Sequence, residues 1–87
     1  MIKLNPTVLR WRCRRGLLEL DLFLIPFMDS QFSQLSIEEQ HVFAELLECT
    51  DPEIHEWLTE RQQPQRAEFV ALCEKIRHHA KTHRTTL

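Results

Sequence analysis

The chain has 87 residues, room for one domain with one modest core, because a chain this short buries only about 60–65% of its unfolded surface. Apolar residues make up 43% and charged residues 28%, which excludes a disordered polymer, and the longest apolar run, Leu22 to Met28 with Pro26 inside it, is far short of the roughly 20 residues of a membrane span. The net charge of −2 hides a segregation, with residues 1–15 summing to +5, residues 16–60 to −11 and residues 61–87 to +4; such blocks either orient an encounter with a partner or pair within the fold.

Asn5 followed by Pro6 combines a cap residue with a first-turn proline and predicts a helix over residues 6–14, with Val8 and Trp11 on one side. A second helix is expected from Gly16 to Asp29, where Leu17, Leu20, Leu24, Phe27 and Met28 follow the i, i+3, i+4 rhythm and Pro26 should bend or end it. Ser36 with Glu39 forms a capping box, and Phe43, Leu46 and Leu47 behind it make the apolar stripe of a third helix to about Glu48. Thr50, Asp51, Pro52 and Glu53 supply a cap, a first-turn proline and first-turn acids for a short fourth helix with Ile54, Trp57 and Leu58 on its apolar face. Pro64 opens an amphipathic fifth helix carrying Phe69, Leu72, Cys73, Ile76 and Ala80, with basic residues crowding its end. No window alternates with period two, so the expected fold is an all-α, five-helix bundle in a single domain, frayed at residues 1–5 and 80–87. Trp11 and Trp57 sit at apolar helical spacing and read as core or near-core residues.

The chain contains one glycine, Gly16, where average usage would put about six. Either it ends the first helix in a left-handed conformation, or its bare backbone lets another protein approach closely between the flanking side chains. On a continuous helix Arg15 and Glu19 would share a face beside it and could pair, a contact contributing only about 0.3–0.5 kcal/mol. With Arg14 and Asp21 nearby, the result is a charged patch around a notch, a docking surface rather than a catalytic site.

The run Trp11, Cys13, Arg14, Arg15, Gly16, Glu19, Leu20 and Asp21 resembles the W-x-C-R-R-G-x-x-E-L-D signature of the bacterial SdhE family of FAD assembly factors. Pro26–Phe27, Leu46–Leu47–Glu48 and Asp51–Pro52 with Trp57–Leu58 match further family segments, Ile54 replaces the usual Leu, and the likeness covers about residues 7–60. The resemblance implies a five-helix, non-catalytic helper that binds the flavoprotein subunit of succinate dehydrogenase, and of the similar fumarate reductase. It would promote covalent attachment of FAD to a histidine of that subunit by holding the reacting groups in geometry. The FAD would belong to the partner, with none bound stably by this chain. Arg15, Gly16 and Glu19 would lie on the contact surface, with Arg14 and Asp21 flanking it, on a monomer.

The same family also carries an older description as an antitoxin-like partner of a membrane toxin. The basic first 15 residues are not followed by a recognition-helix pattern, which speaks against nucleic-acid binding. No nucleophile with a paired base and no phosphate-cradling loop marks an enzyme. Cys13, Cys49 and Cys73 are odd in number and widely spaced, so reduced and mostly buried thiols are expected. His78, His79 and His83 lack the further ligands of a metal site and read as a solvated tail. The N-terminus carries no apolar stretch with a cleavage site, which points to the cytoplasm and to no membrane insertion.

Overall fold

The computed structural model describes residues 4–82. Five α-helices form an all-α bundle: α1 Pro6–Cys13, α2 Leu18–Gln31, α3 Ile37–Leu46, α4 Asp51–Leu58 and α5 Ala67–Thr82, with a single 3-10 turn, Phe32–Gln34, between α2 and α3. No strand occurs among the described residues. α2 and α5 are the central pair; α1 packs on α2, α3 on α5, and α4 on both. The core between them is built from Leu20, Leu24 and Phe27 of α2, Phe43 and Leu46 of α3, Ile54 and Leu58 of α4, and Leu72, Cys73 and Ile76 of α5.

Local chemistry sets the helix starts. The Asn5 side chain accepts from the backbone N–H groups of Thr7 and Val8 at 3.0 and 3.4 Å, and reciprocal capping boxes join Ser36 to Glu39 and Thr50 to Glu53. α4 ends without glycine. Glu60 takes the left-handed conformation (φ 63°), the N–H of Arg61 returns to the Glu56 carbonyl at 2.9 Å and that of Glu60 to Trp57 at 3.3 Å, the paired bonds of a Schellman close.

Several sequence expectations are corrected. α2 begins at Leu18 rather than Gly16 and runs through Pro26 to Gln31. Pro26 is tolerated because it lies, with Leu22 one turn before it, on the exposed side of α2, while Leu24, Phe27 and Met28 keep the opposite face in the core. α5 starts at Ala67, not at Pro64, which is itself buried; the Arg66 carbonyl accepts the first helical bond, from Val70, while its guanidinium lies 4.4 Å over the Phe69 ring. The buried positions of α1 are Leu9 and Cys13, whereas Val8 and Trp11 are exposed. Trp57 is half-buried against Phe69, ring centroids 5.7 Å apart.

At the chain ends, Asn5 caps α1 and residues 80–82 belong to α5, so neither is a tail; the rest of the expected tails, with His83, lies outside the described residues. His79 is buried rather than solvated, with Ser30 Oγ 2.6 Å from its Nε2 and its ring edge-on to Phe27. It sits on the core-facing stripe of α5, three residues after Ile76.

All three cysteines are free thiols. Burial pushes Cys13 up to about 12 and Cys73 up to about 11, while Cys49, half-buried at the end of α3, is raised by the same cause. A neutral thiol is a poor nucleophile. In a timed alkylation of the folded protein read by mass spectrometry, Cys49 should therefore be modified first. Cys13 and Cys73 should react at a comparable rate only after denaturant is added; early labelling of Cys13 would contradict the packing of α1 on α2.

Candidate functional site

The helix does not continue through the charged run. α1 stops at Cys13, Arg14 is extended at its C-cap, and residues 14–17 form a link to α2. Gly16 in this link has φ +79°, a conformation that costs an L-residue roughly 1–2 kcal/mol. A Cβ placed there would meet nothing within 4 Å, so it is backbone conformation, not packing inside the chain, that requires glycine. Gly16→Ala should accordingly lower stability by about 1 kcal/mol. Thermal melting checks this; an unchanged Tm would mean the link is not held in this conformation.

Because the helix is interrupted, Arg15 and Glu19 do not share a face and do not pair. Arg15 turns inward, its side chain 13% exposed. Its Nε donates to Asp51 Oδ1 at 2.6 Å, and its two terminal nitrogens donate to the carbonyls of Leu47 and Cys49, each at 2.7 Å, and of Arg12 at 3.2 Å. Of these partners, Leu47, Cys49 and Asp51 lie where α3 ends and α4 begins, and Arg12 lies in α1. The last carbonyls of a helix have no partner within it, and a cation is favoured at that end; Arg15 supplies both the donors and the charge. Its own backbone N–H donates to Asp21 Oδ1 at 2.9 Å, so Asp21 ties the link to the first turns of α2. Arg15 and Asp21 thus build the loop from within.

The groups facing solvent are different. Arg14 is exposed and lines an open groove of about 480 Å³ with Pro6, Thr7, Arg10, Trp11, Met28 and Asp29. Arg10 and Asp29 close one side of it in a two-pronged ion pair at 2.7 and 3.1 Å, which holds the Asp29 carboxyl below the usual carboxylate range. Glu19, in the first turn of α2, is 67% exposed and meets His55 of α4, Nε2 to Oε1 3.0 Å.

Around the link lies apolar surface that sequence reasoning missed. Of the exposed large hydrophobics among the described residues, Val8, Trp11, Leu17, Leu18 and Leu22 all fall on α1, the link or the start of α2, and only Ile37 lies elsewhere. Trp11 is 70% and Leu18 75% exposed. Leu17 and Leu20 share the apolar rhythm expected of the second helix; Leu20 is buried and Leu17 is exposed. A signal was present in α2 itself. Leu18, Leu22 and Ile25 lie opposite Leu20, Leu24 and Phe27, and a helix apolar on all sides is covered on all sides, by its own chain or by another.

Among the described residues, no three of His, Cys, Asp and Glu come together to hold a metal ion, and no helix is long and apolar enough to cross a membrane.

Residues 8–80 match the family model described as flavinator of succinate dehydrogenase. The chain is 40% identical to the FAD assembly factor SdhE of Haemophilus ducreyi over 77 residues, which span 88% of this chain and 94% of that protein. It is 38% identical to the SdhE of Yersinia pestis over 72 residues, 83% and 82% of the two chains, and 40% identical to that of Coxiella burnetii over 68 residues, 78% and 83%. The matched span takes in both capping boxes, the Gly16 link and the core face of α5, and the chain belongs to the family of flavinators of succinate dehydrogenase.

Proposed function

We propose that this chain binds the flavoprotein subunit of succinate dehydrogenase and promotes covalent attachment of FAD to it, contributing geometry rather than a reacting group. The observation that carries this reading is the surface around Gly16. A link clamped from within by Arg15 and Asp21 presents a bare backbone, the exposed carboxylate of Glu19 and a fringe of exposed Trp11, Leu17, Leu18 and Leu22. Apolar side chains around a fixed polar group are the make-up of a docking surface whose centre becomes desolvated on contact. No activated nucleophile belongs to it, which suits a helper that lowers the barrier by positioning.

In this reading Gly16 lets the partner's backbone approach, Glu19 accepts from a donor of the partner, and Arg14 with Trp11 extends the contact along α1. Arg15 and Asp21 act at one remove, by holding the link. FAD stays with the flavoprotein subunit throughout, the free chain is a cytoplasmic monomer, and the related fumarate reductase subunit is a second client. Co-purification with a tagged flavoprotein subunit tests the partner directly. The wild-type chain should be retained with near-equal stoichiometry at physiological salt, and a chain that elutes with the unbound fraction would overturn the reading.

A further inference from the structure

The carboxylate of Glu19 is not free in the unbound chain, and the group that holds it comes from a part of the sequence outside the charged run. We infer that His55 is a positioning residue for Glu19, fixing its carboxylate beside the Gly16 link before the partner arrives; this rests on the docking surface proposed above. His55 lies 36 residues from Glu19, in the middle of α4, with Nε2 3.0 Å from Oε1 and its side chain 29% exposed.

The helix that carries His55 is itself fixed at both ends and on its inner face. Thr50 and Glu53 cap its start, Arg15 holds Asp51 at 2.6 Å, Ile54 and Leu58 are buried, and the Thr59 hydroxyl donates to the His55 carbonyl at 2.7 Å. The contacts close a ring around Gly16: Arg15 runs from the link to α4, His55 from α4 to Glu19 of α2, and Asp21 from α2 back to the backbone of Arg15. Glu19 is the one exposed member of that ring. A carboxylate offers about four acceptor sites, so one bond to His55 leaves capacity for a donor of the partner. A long exposed side chain that is already held loses less conformational freedom on binding.

The test is a double-mutant cycle on the purified full-length chain, with affinity for the unflavinylated flavoprotein subunit measured by titration calorimetry. His55→Leu should weaken binding by about three- to tenfold, the range one ordered side chain commands. His55→Gln, whose side-chain amide nitrogen can stand where the imidazole Nε2 does, should restore most of it. In a Glu19→Ala background His55→Leu should have no further effect. Wild-type affinity in His55→Leu, failure of Gln to rescue, or an undiminished loss in the Glu19→Ala background would each overturn the inference while leaving the proposed function in place. Absence of binding by the wild-type chain would overturn both.

Discussion

Arg15→Ala should unfold the chain at a markedly lower temperature, although the residue lies in a surface loop. Hydrogen bonds from a charged donor contribute about 1.5–3 kcal/mol each when their loss strands the acceptor, and breaking a buried ion pair costs about 3–5 kcal/mol. Here the side chain is 13% exposed but Asp51 is 36% exposed, so water recovers part of the loss and the net cost is about 2–4 kcal/mol. A domain of this size has roughly 4–13 kcal/mol in total, and each kcal/mol moves Tm by about 4–8 °C, so the expected fall is about 8–30 °C. Arg15→Lys keeps the charge but cannot reach the Leu47 and Cys49 carbonyls and Asp51 together, so it should fall between. Circular dichroism melting checks both. A Tm within about 3 °C of wild type for the alanine variant would mean that the α3–α4 junction does not depend on this side chain.

For Glu19→Ala the opposite pattern is expected. Its side chain is 67% exposed, with His55 as its hydrogen-bond partner, and losing an exposed contact together with a first-turn acid costs no more than about 1 kcal/mol. Stability should hardly change. At a desolvated interface, however, removing one partner of a charged hydrogen bond costs about 2–5 kcal/mol, mostly because the other partner is left unpaired. At 1.4 kcal/mol per tenfold, affinity for the flavoprotein subunit should fall by roughly 30-fold or more, and covalent flavin with it. Equilibrium binding together with in-gel flavin fluorescence reads both. A variant that melts like wild type and also binds like wild type would remove Glu19 from the contact. Arg15 and Glu19, four residues apart, are thus distinguished by which measurement each one moves.

Three of the five helices, α1, α3 and α4, were legible from their starts, which are written in short-range chemistry: Asn5–Pro6, Ser36 with Glu39, and Thr50 with Glu53 fold as their side chains require; α2 and α5 were legible from their apolar stripes, which do not fix where a helix begins. The link was not legible for the converse reason. Leu17 at the start of α2 offers no side-chain cap, and what stops α1 and aims α2 is Arg15 reaching residues 47–51, a partnership with no local signature. Reading Arg15 and Glu19 as helical neighbours therefore placed both on one surface, whereas the left-handed Gly16 separates them. Trp11 was misread because spacing places a residue on a face without saying whether that face meets the chain's own core. The motif marks a run of sequence; only the geometry separates its residues that hold the link, Arg15 and Asp21, from those that face outward, Arg14 and Glu19.

On the proposed function, this chain promotes flavinylation of the flavoprotein subunit through the surface around Gly16. Cells lacking their own assembly factor, expressing that subunit with or without this chain, test it most directly when the denatured subunit is scored for flavin fluorescence. Wild-type chain should restore a strong fluorescent band, and Glu19→Ala, expressed to the same level, should leave it near background. A band equally dim with and without the wild-type chain would contradict the account.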